Sequence, residues 1–303
     1  MTPRRTQGPA WLRELRRRPA GIFGSIVIIL LVASAVVSSF WTPVDPFYAD
    51  PFHPWLGPSL AHLLGTDAVG KDIFSYLFLG SRTTLLVAAG SSVVATVVGI
   101  ALAALGALTG RWLRETIAVI VDILIAFPVL LIAVMLTAVL GPSLVNVVIA
   151  VGIGFGVNIA RVSRGEIRRV ARTDYVLAAR AAGVGPWRNL VDHIFPNIAP
   201  VFIVQLSLAA GVAILSEAGL SFLGYGADPG TASWGRMLHD LQNYITLYPL
   251  TAVWPGVAIG LTVLGFNLFG DALREATDPR LLAGSDGPMD RRSSRRRRKA
   301  ATP

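Results

Sequence analysis

The sequence contains no cysteine and little charge. Lys, Arg, Asp and Glu together make up 15% of its 303 residues, and 53% are hydrophobic; a typical soluble domain carries about 25% charge. The first absence excludes disulfides and cysteine-based metal or redox chemistry. The second, with a mean hydropathy of +0.60, points to a membrane protein. Histidine is scarce too. His53, His62, His193 and His239 are scattered, and none has a second histidine at metal-ligand spacing, so no metal site is expected. Nothing marks a Ser-His-Asp triad, and the chain reads as non-catalytic.

What the chain does have is apolar runs. Residues 21–40, 83–110, 115–140, 144–160, 198–221 and 249–270 are each long enough to cross a hydrocarbon core of about 30 Å. The first follows Arg4, Arg5, Arg13, Arg16, Arg17 and Arg18, which a cleavable signal peptide would also do. It exceeds the usual apolar length of about 7–15 residues for such a peptide. It also ends in the interfacial pair Phe40-Trp41, so it reads as a retained helix. The expected fold is an all-α membrane protein of six transmembrane helices.

Charge placement orients it. Only Lys71, Arg82 and Arg236, three of the 27 basic residues, fall in the loops on one side of six spans. The positive-inside rule puts the other side, with both termini, in the cytoplasm. This accounts for the net charge of +9 without nucleic acid. The tail after residue 271 ends in Arg295, Arg296, Arg297, Arg298 and Lys299. It reads as disordered and close to anionic membrane lipid, at about 1 kcal/mol per basic residue.

Two acids lie inside spans, Asp122 and Glu217. A mid-membrane acid costs about 2.5–3.5 kcal/mol and faces protein or water. Both are candidates for pore-lining or interhelical polar residues. A proton relay and a structural hydrogen bond remain open for Glu217. Gly65, Gly70 and Lys71 mimic a phosphate-binding loop, but Asp72 stands where a Ser or Thr should meet magnesium, and its carboxylate repels phosphate. No nucleotide site is expected there.

Residues 175–197, YVLAARAAGVGPWRNLVDHIFPN, form the long polar interval of the second half. Good helix formers run over 176–182, Gly183 and Gly185-Pro186 break them, and a second amphipathic run over 187–195 is expected to stop at Pro196. Ala178-Ala179, Gly183 and the Ile194-Phe195-Pro196 ending resemble the "EAA" coupling loop of ABC importer permeases. Leu177 replaces that motif's usual glutamate, and His193 and Phe195 also depart from it. The strings LGTDAVGKD at 64–72 and ILSEAGLSFLG at 214–224 are similar to the dipeptide, oligopeptide and nickel branch.

The resemblance implies a type I importer permease fold in a bacterial inner membrane. Residues 1–20 would form a basic cytoplasmic N-terminus, 21–81 the first helix and an extracytoplasmic segment, 82–271 the permease core, and 272–303 the basic tail. It further implies a second permease subunit in a heterodimer and two ABC ATPases that bind ATP and magnesium, leaving no cofactor in this chain. An extracytoplasmic binding protein would deliver substrate, expected to be peptide, with nickel as the alternative. By the same resemblance Ala178, Ala179 and Gly183 allow close approach to the ATPase, Pro196 shapes the loop, and Arg180 and Trp187 contact the partner. Two other readings compete: an ion-coupled secondary transporter using Asp122 or Glu217, and a membrane scaffold acting through its basic tail.

Overall fold

Hydrocarbon offers backbone N–H and C=O groups no water to bond, so an apolar chain must satisfy them inside helices. The computed structural model describes residues 18–277, and every regular element among them is helical. Most of the basic N-terminus and of the basic tail lies outside the described residues.

Helix α1, Pro19–Val37, starts on a proline, whose missing N–H costs nothing in a first turn. Helix α2, Ile73–Leu108, begins ten residues before the expected span. Asp72 caps it, with Oδ2 accepting the Ser75 N–H at 2.7 Å. The expected single span over 115–140 is instead two helices, α3 (Arg111–Ile125) and α4 (Val129–Leu140), bent by 80°. Pro128 makes the corner. It has no N–H to donate and disfavours a helical conformation at Phe127, which an uninterrupted apolar run conceals.

Helix α5, Leu144–Val170, runs ten residues past its expected end, so Arg161, Arg164, Arg168 and Arg169 ride on a helix rather than in a loop. Two short helices follow, α6 (Asp174–Ala181) and α7 (Pro186–Asn189), then the long α8 (Phe195–Phe222). The connection after α8 holds α9, Trp234–Leu241, before α10, Pro249–Thr277. Five helical runs among the described residues are long and apolar enough to cross a membrane; α3 and α4 counted as one bent span make six.

Glycines bring these helices together. Gly152 and Gly156 of α5 sit under Val94 and Val98 of α2; a Cβ on either glycine would lie 2.5 and 2.6 Å from the valine Cβ atoms. Gly154, between them, faces Val129 of α4. Gly24 of α1 and Gly265 of α10 do the same for that pair. Lipid tails are as apolar as leucine, so close contact through small residues supplies the attraction that water would otherwise drive. The centre of the bundle, Val87, Ala133, Val147, Val151, Ala213 and Leu220, joins α2, α4, α5 and α8.

Candidate functional site

The bundle has a basic end, carrying the arginines of α3, α5 and α6, and an aromatic end, where Trp55 stacks on Tyr248 at 3.9 Å. The polar elbow lies at the basic end. Helix α6 is pinned by Val176, fully buried among Ile167, Val170, Leu190, Ile194 and Ile198. It ends in a Schellman turn: Gly183 N–H bonds Arg180 O at 3.0 Å, and Val184 N–H bonds Ala179 O at 3.1 Å. Gly183 takes φ +87°, a conformation L residues resist, while the space around it is open. Backbone conformation, rather than crowding within the chain, therefore demands glycine.

Pro196 does not stop the second helix, contrary to expectation. The chain continues from Pro186 to Phe222, with Leu190–Ile194 widened into a π turn in which Phe195 N–H bonds Leu190 O. The wider turn accommodates a residue that has no N–H and whose ring would clash with the preceding turn. Ala178, Arg180, Gly183 and Pro196 are exposed, Ala179 is half-buried, and Trp187 is 62% exposed. The elbow thus presents small residues and one large indole on a foundation of buried aliphatics. Of the foundation residues, Ile194 belongs to the motif ending read from sequence, whereas Val176 and Leu190 were not singled out there; their helical spacing was the available signal.

At the aromatic end a buried carboxylate organises the return of the chain. Glu217 in α8 is 1% exposed, and its Oε1 accepts from Ser221 Oγ at 2.6 Å and from Ser233 Oγ at 2.7 Å. Ser221 Oγ also accepts the Ala227 N–H, and Ser233 caps α9 by accepting the Arg236 N–H. Trp234 donates its indole N–H to Leu77 O at 2.7 Å, in space left by Gly80. Thr83 Oγ1 donates to Ala232 O at 2.6 Å. Gly235 lies directly against the Ala218 backbone, and Gly226 against Ser221. The serines and glycines around Glu217 are therefore parts of one joint between α8, α9 and α2.

Asp122 is elsewhere. It is more than half exposed and lies 3.7 Å from Arg161 of α5, so it shares no site with Glu217. The glycines of the phosphate-loop mimic are filled by their own chain, Gly65 against Leu56 O and Gly70 against Asp50 O. Asp72 is occupied by its cap and by His62 Nδ1 at 3.0 Å. Burial pushes the Asp67 carboxyl above the usual range, against the N–H groups of Lys71 and Val69 that stabilise its charge. No group of three or more His, Asp or Glu side chains among the described residues could hold a metal ion.

Residues 95–283 match the family described as binding-protein-dependent transport system inner membrane component. The dipeptide transport system permease protein DppC of Alkalihalophilus pseudofirmus is 36% identical over 269 residues, covering 89% of this chain and 88% of that one. The glutathione transport system permease protein GsiD of Pectobacterium atrosepticum is 38% identical over 272 residues, covering 89% and 90%. The nickel transport system permease protein NikC of Escherichia coli is 35% identical over 257 residues, covering 85% and 93%.

Proposed function

The chain belongs to the binding-protein-dependent transport system inner membrane components, and on that premise we propose that it forms half of a peptide-conducting pore driven through the elbow at 174–196. It is an ABC importer permease subunit, a multi-pass protein of a bacterial inner membrane. Subunits of this kind are generally non-catalytic and work with separate ATPases and a substrate-binding protein.

A second permease, two ATPases holding ATP and magnesium, and an extracytoplasmic binding protein complete the assembly in this reading. The excess of arginine at the basic end supports a cytoplasmic position for the elbow and both termini. ATP-driven closure of the ATPases would move the elbow, and with it α8, because Pro186–Phe222 is one continuous helical run. That continuity is the observation that carries the proposal. A force applied at Trp187 or Pro196 acts on that run directly, and one applied at Ala178, Ala179, Arg180 or Gly183 reaches it through the packing of Val176 on Leu190, Ile194 and Ile198. Peptide cargo is favoured because glutathione, named for one relative, is itself a tripeptide. Nickel is the second reading, on the strength of the nickel permease relative.

The test is affinity purification of the tagged chain from gently solubilised membranes, with mass spectrometry and an ATPase assay. Recovery of P-loop ATPases and a second permease, lost in Gly183→Trp while the variant still inserts, is the expected result. A lone, ATPase-free protein, or normal transport by Gly183→Trp, would overturn the assignment.

A further inference from the structure

A cavity of about 590 Å³ opens at the basic end between α2, α5 and the elbow. This lies within the range of about 300–1,000 Å³ usual for small-molecule sites. Arg114, Arg164, Arg168, Arg172 and Arg180 line it, with no Asp or Glu among the lining residues. None of the five guanidinium groups has an ion pair or a hydrogen bond among the described residues, whereas Arg111, Arg161, Arg169 and Arg188 each face a carboxylate. Five like charges around one cavity repel one another and hold a strongly positive potential until an anion enters. A guanidinium fork matches phosphate oxygens two at a time.

A second cavity, of about 270 Å³, adjoins it and shares Ala103, Ile167 and Leu190; its further lining includes Ile100, Phe195 and Phe202. That second cavity has no charged residue in its wall. Depth fits the pairing. From Thr83, about 20 helical residues at 1.5 Å each cross a 30 Å hydrocarbon core, which places Ala103 near the level of the headgroups. A basic pocket at headgroup depth, sharing a wall with an apolar pocket lined by Ile100 and Phe202, is amphipathic in the sense a phospholipid requires.

We infer that this pair of cavities binds an anionic phospholipid, its phosphate held by the arginines and an acyl chain lying against Phe195 and Phe202. The inference requires only that the chain is in a membrane. It stands whether or not the elbow couples to an ATPase. A free phosphate would use the first cavity alone, and an acidic protein surface would have no use for the second.

The experiment titrates the purified full-length chain, without partners, with phosphatidylglycerol and with phosphatidylcholine and reads bound lipid by native mass spectrometry. Phosphatidylglycerol is expected to bind more tightly. Substituting Arg164→Gln, Arg168→Gln and Arg172→Gln should weaken it roughly fivefold per arginine while leaving phosphatidylcholine unchanged. Ala104→Phe, which fills the apolar cavity without touching a charge, should weaken both lipids. Equal phosphatidylglycerol binding by wild type and the arginine variant overturns the proposal. So does inorganic phosphate binding equally to wild type and Ala104→Phe with no lipid preference, which would mark a soluble-anion site. Unchanged lipid binding with lost recovery of an ATPase would assign the arginines to a protein partner, and also overturns it.

Discussion

Thr83 bonds a carbonyl 149 residues away and Trp234 one 157 residues away, both at the aromatic end. The side-chain bonds of the elbow span three or four residues: Thr173 to Val170, Arg188 to Asp192, Asn197 to His193. One end of the bundle is therefore cross-linked by directional bonds buried among glycines, and the other is a local fold resting on aliphatic contacts. Hydrogen bonds fix distance and angle, and a half-broken buried network is costly. Apolar contacts tolerate sliding, so elements that move are drawn from regions of that kind. The contrast suits a protein that must hold one mouth in shape and be pushed at the other.

The largest expected effect comes from breaking the rigid end. Glu217→Ala orphans the Ser221 and Ser233 hydroxyls and leaves a cavity, which should cost on the order of 3 kcal/mol in unfolding experiments in detergent. Glu217→Gln keeps an oxygen that accepts both and should cost less than half as much. Amide exchange should rise over 227–241 in the alanine variant and stay level over 174–189. Equal rises at both places would show that the two ends are not independent.

At the elbow, Gly183→Ala forces a Cβ into the left-handed region, at about 1–2 kcal/mol locally. Global melting should barely move, and stimulation of the partner ATPase should fall. Gly183→Asn, which tolerates that conformation better, should recover much of the stimulation. Failure of asparagine to rescue would mean that the absent side chain, rather than the turn, is what the partner needs.

The smallest effect sharpens the picture of the aromatic end. Burial raises the Asp67 carboxyl above its unfolded value, so the folded state holds the proton more tightly. The associated stability is present at acid pH and is lost as pH rises through the raised value. Asp67→Asn keeps an acceptor for the Val69 and Lys71 N–H groups and removes the cost of ionisation. It should equal or slightly exceed wild type at neutral pH, and the difference should vanish in acid. An Asp67→Asn variant less stable than wild type at neutral pH would show that the charge itself holds the loop.

Much of this was legible in the chain. The apolar runs, the glycine elbow and the family strings needed only composition, spacing and turn chemistry, all of which act within a few residues. The misreadings share one cause. Pro128 and Pro196 are the same residue type, each preceded by phenylalanine, yet one breaks a span by 80° and the other is absorbed in a π turn. Periodicity cannot separate these outcomes, because what decides between them is whether neighbouring helices hold the chain straight. The end of α5 was hidden in the same way: its arginines read as a loop by charge alone.

By itself the sequence determined that this is a helical membrane protein, where its apolar spans lie to within about three turns, and that Gly183 ends a helix. Those follow from hydrophobicity, helical period and the left-handed preference of glycine, which are local properties. Only the tertiary structure decided that Glu217 clasps Ser233 across a 16-residue separation and that Gly152 and Gly156 seat Val94 and Val98. It alone gathered five arginines from three separate stretches of chain around one cavity. Each of these depends on packing geometry between distant segments, which no local pattern encodes.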